Sequence, residues 1–477
     1  MPKILPQIQN IVVVMFENRS LDNLCGWLYS NPAPQPSLYL PAGSAAAYNG
    51  LNPNLWNPSN FTDQPPVKVP IHQGTSNFQV PDPNAHETFD HVTVQCYGQP
   101  VPAPNPPWPM QGFVVDYATT NPPDPSLIMQ TYTPAQLPVL SALARNYAIS
   151  DAWFCSVPSE TIPNRAFLHS GTSNGNVVNG ELDGDIPDPL DFDGPTIFNV
   201  LDSIGASWNV YSDATLAPSL TRSFAPRLWP NRFDPRFQGF DAFLNDCANN
   251  SLPQYSFVEP RFMLDPNDQH PPHDVAAGDQ FLYRIWQAVS QSPAWNHILL
   301  AIMYDEHGGC YDHVLPPTGA VSPDSASNPG KENFKFDRFG VRVPVILVSP
   351  YVQAGTVFRS NTSTPYDHTS ILATLRDWLE IPTASMLTSA RIKAAPTLEQ
   401  VLTLSAPRVV KPTIAPPQTA PAPTSLALPP NVLQKSLLKG AARRLNLDPL
   451  PLLAQMKTRQ HAVDFFKLKQ GALGVHK

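Results

Sequence analysis

The sequence predicts an α/β protein with a central, mostly parallel sheet flanked by helices. Three observations predict it. Residues 11–16 (IVVVMF), 298–303 (ILLAIM) and 343–348 (VPVILV) are short and almost wholly apolar. Such runs read as strands buried on both faces, the usual state of strands in a parallel sheet. Helical patterns lie between and beyond them, and strands alternating with helices imply a covered parallel sheet. In sheets of this kind ligands bind beyond the carboxyl ends of the strands, and the polar clusters of this chain fall there.

The first strand ends in Glu17-Asn18-Arg19-Ser20. Residues 31–109 are rich in Pro, Asn and Ser and read as a long loop insertion. The chain's 58 prolines imply several stiffened loops of this sort. Residues 138–145 read as a helix, with Pro138 suited to its first turn, and Tyr147-Ala148-Ile149 follows as a short apolar stretch. A helix over 278–290 leads into the second strand, which delivers Tyr304-Asp305-Glu306-His307-Gly308-Gly309. Beyond the third strand, 370–379 is a further helix. The α/β body is expected over 1–405, a Pro-rich semi-rigid linker over 406–430 and a basic helical tail over 431–477. Within the tail, leucines recur at helical spacing over 432–445, and a second weakly amphipathic stretch covers 452–468. There is no internal repeat.

Composition bounds the function. A chain of 477 residues with 42% hydrophobic and 14% charged residues builds a large core and is not a disordered protein. The net charge of −8 is uneven: the tail has nine Lys/Arg against two Asp/Glu, or +7, which leaves −15 on the body. An acidic body excludes nucleic acid as the expected partner. The basic tail suits peripheral contact with an anionic membrane or protein surface. The five cysteines form no CxxC pattern, and an odd number does not indicate a disulfide framework. No basic segment followed by a long apolar one opens the chain, and no apolar run approaches the ~18 residues of a transmembrane helix. The expectation is a cytoplasmic protein or one exported by a signal-independent route.

Glu17-Asn18 and Asp305-Glu306 each follow an apolar strand closely. Three carboxylates and an amide carbonyl are oxygen donors suited to a hard cation such as Mg, Ca or Mn. Phosphoryl transfer uses such an ion to offset oxygen charge and to lower a nucleophile's pKa. Acidic residues at strand ends also cap helices or face solvent, so each pair alone is open to that reading. Thr161-Ile162-Pro163-Asn164-Arg165 is a second cluster. The Thr161 hydroxyl can join a metal and ionise, or simply begin a helix, and Asn164 and Arg165 can hold nearby polar groups. Four histidines, His86, His270, His313 and His368, offer donors for phosphoryl oxygens and an acid for a leaving group.

These residues resemble the bacterial phosphoesterase family, which includes phosphatidylcholine-type phospholipases C, plant non-specific phospholipases C and respiratory-burst acid phosphatases. The resemblance rests on Glu17-Asn18-Arg19-Ser20, Thr161-Ile162-Pro163-Asn164-Arg165, Asp305-Glu306-His307-Gly308-Gly309 and Tyr366-Asp367-His368-Thr369-Ser370, with 267–272 and 340–350 also matching in family order. It implies an alkaline-phosphatase-like fold. It also implies one divalent ion (Ca, Mg, Mn or Zn) on Glu17, Asn18, Thr161, Asp305 and Glu306, with Thr161 as the nucleophile. His86 and His270 match residues that contact the phosphate or protonate the leaving oxygen, and His368 matches a further motif histidine, braced by Asp367. The candidate substrate-binding residues are Asn18, Asn164, Arg165, His86 and His270. The family's nucleophile motif usually opens Gly-Pro-Thr; here it reads Ser159-Glu160-Thr161, which adds a negative charge and a rival hydroxyl. The tail lacks the β-rich extension of haemolytic members. The implied activity is hydrolysis of a phosphate ester, most of all a phospholipid by the phospholipase C route. The alternatives are an acid phosphatase for small esters, an inactive interaction or membrane-docking protein, and an exported effector recognised through its tail.

Overall fold

The computed structural model describes residues 4–474 apart from 31, 103, 104, 107, 180–191, 215 and 232. Its centre is a nine-stranded sheet. In chain order the strands are β1 (Asn10–Phe16), β2 (Leu38–Leu40), β3 (Ala148–Ser150), β4 (Trp208–Ser212), β5 (Phe237–Gly239), β6 (Tyr255–Glu259), β7 (Ile298–Tyr304), β8 (Val345–Val348) and β9 (Thr356–Phe358). Across the sheet they lie β2-β9-β3-β8-β7-β1-β6-β4-β5. Every neighbouring pair is parallel except the two made by β8, which runs against both β7 and β3. The three apolar runs became β1, β7 and β8, each buried at every residue because helices cover both faces.

The helices that frame the site are α1 (Leu21–Cys25), α2 (Phe89–Tyr97), α3 (Pro138–Asn146), α4 (Thr161–Ser170), α5 (Leu220–Phe224), α6 (Val275–Gln291) and α7 (Thr369–Trp378). The tail forms α8 (Val432–Arg444), α9 (Pro449–Gln455) and α10 (Arg459–Leu473). The insertion at 31–109 is not all loop: α2 forms in it, closed by Gly98 in the left-handed conformation (φ 64°). The stretch 452–468 is split between α9 and α10, because the Thr458 side chain accepts from His461 N and starts a new helix.

Residues 406–430 run along the body: Gln280 donates to the Thr419 carbonyl (3.0 Å), and Ala422 N donates to Asp274 (2.8 Å). The tail then shares the main core. Leu433, Leu437, Leu438, Ala441, Val463 and Phe466 are fully buried in the same apolar cluster as Leu220 and Phe224. Gly440 lets α8 press on α5, since a Cβ there would sit 2.6 Å from the Ser223 carbonyl oxygen. All five cysteines are buried free thiols. Among the described residues no helix is long and apolar enough to cross a membrane.

Candidate active site

The register of two strands builds the site. β1 and β7 pair in parallel from Asn10↔Ile298 to Phe16↔Tyr304, so the next residues, Glu17 and Asp305, emerge side by side at the carboxyl edge. Asn18 then turns in the left-handed region (φ 52°), which Asn tolerates better than most residues. Its N–H donates to Asp305 Oδ1 (2.9 Å), which also accepts from Glu306 N (2.8 Å). Gly308 and Gly309 follow at φ 61° and 64°. A Cβ on Gly308 would lie 2.3 Å from the Asn18 carbonyl oxygen, and one on Gly309 2.5 Å from that of His86. Only glycine lets these three loops close on one another.

Thr161 is the first residue of α4, after the N-cap Glu160. Its Oγ1 lies 3.1 Å from Glu17 Oε2 and 3.2 Å from Asn18 Oδ1. The amino end of this ten-residue helix carries the positive end of its dipole, although Ile162 N already donates to Asn179 Oδ1 (2.5 Å) and Pro163 has no N–H. The Ser159 hydroxyl donates instead to the Val177 carbonyl, which removes it as a rival.

Asn164 and Arg165, expected to bind substrate, are both engaged by the protein, with Arg165 Nη1 left buried and without a hydrogen-bond partner. The Asn164 amide is saturated within its own loop: Oδ1 accepts from Val157 N (2.9 Å), and Nδ2 donates to the carbonyls of Val157 (3.0 Å), Ser159 (2.9 Å) and Glu160 (3.1 Å). Arg165 faces the acidic cluster. Its Nε donates to Glu17 Oε1 (2.9 Å), its Nη2 pairs with the same oxygen, and Asp305 Oδ2 is 3.7 Å away. His368 is a brace as well: Nε2 donates to the Asp305 carbonyl (2.5 Å), and Nδ1 faces Trp153 Nε1 at 3.4 Å. Asp367 beside it is held by Ser156 (3.0 Å) and Arg391 (3.1 Å).

The insertion contributes a wall. The His86 ring stacks on His91 at 3.8 Å, and His91 Nδ1 lies 2.5 Å from Asp116. Gln95 donates to the His86 carbonyl (2.8 Å) and to Asp116 (2.7 Å), while its Oε1 accepts from His307 Nε2 (2.8 Å). Glu87, which no motif marked, reaches the centre: its Oε2 accepts from Asn18 Nδ2 at 2.6 Å. His270 Nδ1 donates to the Pro271 carbonyl (2.6 Å), and its Nε2 lies 4.0 Å from Glu87 Oε1. His273, also unmarked, sits 2.7 Å from Asp268 Oδ1, the oxygen that accepts from His270 N.

These groups are buried and crowded. Burial pushes the Glu17 and Glu306 carboxyls well above the usual range; Arg165 pulls Glu17 back, while Asp305 opposes it, and Glu87 and Asp305 raise Glu306 further. Burial and the charge of Glu160 push Glu87 up to about 8. Burial, then His273, lowers His270 to about 4, so its ring is neutral near pH 7. Asp305 Oδ2, Glu306 Oε1, Glu87 Oε1 and His270 Nε2 are buried without a hydrogen-bond partner. Clustered oxygen donors that are costly as bare anions fit a divalent cation. Among the described residues, the group of three His, Cys, Asp or Glu whose donor atoms all lie within 4.8 Å of one another is a different one, Asp22, Asp312 and His313. There the Arg342 guanidinium already stands, 3.0 Å from Asp312 and 3.1 Å from Asp22.

Comparison with known proteins decides the family, since residues 8–382 match the model of the Phosphoesterase family. The chain belongs to the phosphoesterase family. This phosphoesterase is 32% identical to non-specific phospholipase C3 of Arabidopsis thaliana over 435 residues, covering 86% of this chain and 76% of the relative. It is 34% identical to non-specific phospholipase C5 of the same plant (84% and 75% covered) and 27% identical to phospholipase C B of Mycobacterium tuberculosis (81% and 76%). Among solved structures, the phosphonate monoester hydrolase of Agrobacterium radiobacter aligns at 15% identity and a TM-score of 0.32, over 56% of this chain and 72% of that one. As a phosphoesterase, the chain is a hydrolase acting on phosphoric ester bonds.

Proposed function

We propose that this phosphoesterase cleaves phospholipids by the phospholipase C route, through a phosphothreonine on Thr161. One observation carries the proposal: the Thr161 hydroxyl stands within 3.2 Å of both Glu17 and Asn18 at the amino end of α4. The relatives named as phospholipases C support the substrate class. Glu17, Asn18, Thr161, Asp305 and Glu306 would hold one divalent ion, which when bound lowers the hydroxyl's pKa and offsets charge on the phosphoryl oxygens. Arg165 fixes Glu17, His368 fixes the Asp305 backbone, and Asn164 fixes the turn that presents Thr161. Thr161 Oγ1 gives up its proton toward Glu17 Oε2 and attacks phosphorus, and the bond from phosphorus to the glycerol oxygen breaks. His86 protonates the departing diacylglycerol, because the one N–H of neutral His270 is held by Pro271. Water then cleaves the phosphothreonine and releases the phosphorylated headgroup.

Membrane access falls to the tail in this reading. Leu447, Leu450 and Leu468 are 40%, 49% and 78% exposed on its surface, as are the nearby Lys457 and Lys467. That combination suits an anionic lipid surface. The test is a panel of phosphatidylcholine vesicles and p-nitrophenyl phosphate, each with and without a chelator. Chelator-sensitive release of diacylglycerol is expected. Turnover of p-nitrophenyl phosphate alone makes the protein a phosphomonoesterase, and turnover of neither makes it an interaction protein.

A further inference from the structure

We infer that Asn179 is a further substrate-contacting residue, whose side-chain amide donates to a non-bridging oxygen of the phosphoryl group at Thr161. The inference rests on the proposed function for Thr161 as the attacking group, and it holds for a phospholipid and a small ester alike. Asn179 reaches both chain neighbours of the nucleophile. Its backbone N–H donates to Glu160 Oε2 (2.6 Å), and its Oδ1 accepts from Ile162 N (2.5 Å). Thr161 is the residue between those two contacts. The acid at position 160, which departs from the family's Gly-Pro-Thr opening, therefore ties residue 179 to the nucleophile's turn.

The contact with Ile162 also fixes which way the amide faces. A backbone N–H is met by the amide oxygen, so the flipped amide, with its NH2 against Ile162 N, is excluded. The NH2 is thereby turned off the helix backbone. Asn179 is 5% exposed, and its Nδ2 is buried without a hydrogen-bond partner. The other two amides around Thr161 are already engaged. Asn18 Nδ2 donates to Glu87 (2.6 Å), and Asn164 Nδ2 donates to the carbonyls of Val157, Ser159 and Glu160. A bare amide donor in a dry interior is costly and calls for an acceptor.

Position makes a phosphoryl oxygen that acceptor. Ile162 N belongs to the peptide that Thr161 closes, so Asn179 Oδ1 lies one hydrogen bond from the attacking residue, and Nδ2 shares a carbon with Oδ1. Phosphorus bonded to Thr161 Oγ1 carries its outer oxygens one bond further out, beside the amino end of α4. Little else of the helix's first turn is available there. Pro163 has no N–H, and Asn179 takes that of Ile162, so the N–H of Thr161 remains without a helix partner. Asn179 replaces the donor that it occupies: it caps one N–H and offers an NH2 in exchange. Being neutral, it orients an oxygen, and offsetting the acidic cluster stays with the divalent ion.

The test compares Asn179→Asp with Asn179→Ala in metal-loaded, full-length protein. Asp keeps an acceptor for Ile162 N and loses the donor, whereas Ala loses both. Loss of one such donor costs about 10²–10³-fold in kcat, and that fall is expected in both variants, for phosphatidylcholine or p-nitrophenyl phosphate, whichever the wild type turns over. KM should change little, since the bond tightens as charge develops on the oxygen. Near-wild-type turnover by N179D beside an impaired N179A is the mark of a clasp alone and overturns the inference. Loss in N179D alone reports repulsion by the new carboxylate and overturns it too, as does full activity in both. Where a variant fails to fold, the wild type crystallised with orthovanadate decides: Nδ2 within about 3.2 Å of a vanadate oxygen is expected, and an Nδ2 bonded to none refutes the assignment. Active Asn179 variants beside an inactive Thr161→Ala refute this inference and leave the proposed function standing; a fully active T161A removes both.

Discussion

Replacing Thr161 with Ala separates catalysis from folding. The side chain is fully buried, and its hydroxyl is the one within 3.2 Å of both Glu17 and Asn18. The neighbouring hydroxyls are engaged elsewhere, Ser159 on the Val177 carbonyl and Ser156 on Asp367, so no substitute nucleophile stands ready. Loss of a nucleophile costs at least ~10³-fold in turnover, about 4 kcal/mol of barrier. The folding cost is smaller. One buried methyl is worth about 1 kcal/mol, and Glu17 and Asn18 lose a shared donor worth about 1–3 kcal/mol. The N-cap is Glu160, so the start of α4 is untouched. The assay is turnover of both esters beside a thermal melt and a search for phosphorylated Thr161 after acid quench. Thr161→Ser keeps the hydroxyl and should retain turnover within roughly tenfold of the wild type. A folded T161A protein with more than about a tenth of wild-type turnover refutes the assignment, since the expected loss is far larger.

Three further outcomes follow from the packing. Arg342→Met leaves buried Asp312 without its guanidinium and Asp22 with His313 alone, and should cost about 3–5 kcal/mol in a urea melt. Arg342→Lys should rescue little, because one ammonium cannot span both carboxylates and the Asn49 and Asp151 carbonyls. Burial lowers the pKa of His313, but the hydrogen bond it donates to Asp22 and the charges of Asp22 and Asp312 outweigh it and leave the pKa raised. Its stabilising effect is therefore full below the unfolded value and lost as pH rises through the folded one. His313→Asn should cost more stability at pH 5.5 than at pH 8.5, and equal losses would exclude the linkage. Leu437→Ala should cost about 2–5 kcal/mol and open the tail to limited proteolysis; an unchanged melting temperature would mean that α8 does not share the core.

The legible part of this protein is the part with strong periodicity and apolar run length. β1, β7 and β8 stood out because each is buried on both faces, and the chemistry was legible because Glu17 and Asp305 come directly after two of them. Elements of three residues such as β2, β5 and β9 are too short for any pattern and exist through their neighbours. Asn164 and Arg165 were legible as site residues but not in their contacts. A motif gives spacing, and only the fold shows that the Asn164 amide closes on Val157, Ser159 and Glu160 while Arg165 turns to Glu17. Glu87 was hidden for a different reason: it lies in a Pro-rich insertion that carries no period, and its one signal was adjacency to His86. Leucine spacing showed α8 as a helix, but not that Gln434 would donate to the Phe262 carbonyl (2.9 Å), beside the ring that lies 5.7 Å from the Arg165 guanidinium.

That last chain of contacts bears on how the site is charged. Glu17, Glu87, Asp305 and Glu306 face one another in a buried space, and among the described residues Arg165 is the guanidinium placed against Glu17 and Asp305. A phosphate ester brings more negative charge to the same place. Protonation can relieve part of the repulsion, since burial already raises Glu17, Glu87 and Glu306, but a protonated carboxyl offers nothing to an incoming phosphoryl oxygen except a hydrogen bond. Arg165 is committed to Glu17 through Nε and Nη2, which leaves only Nη1, buried and without a hydrogen-bond partner, to donate to another oxygen. On the proposed reading, then, the divalent cation is needed for the anionic substrate to bind as well as for the bond to break. Stripped protein should lose affinity for a non-hydrolysable phosphonate along with its turnover. Undiminished phosphonate binding by stripped protein would show that fixed groups alone reverse the sign of the site.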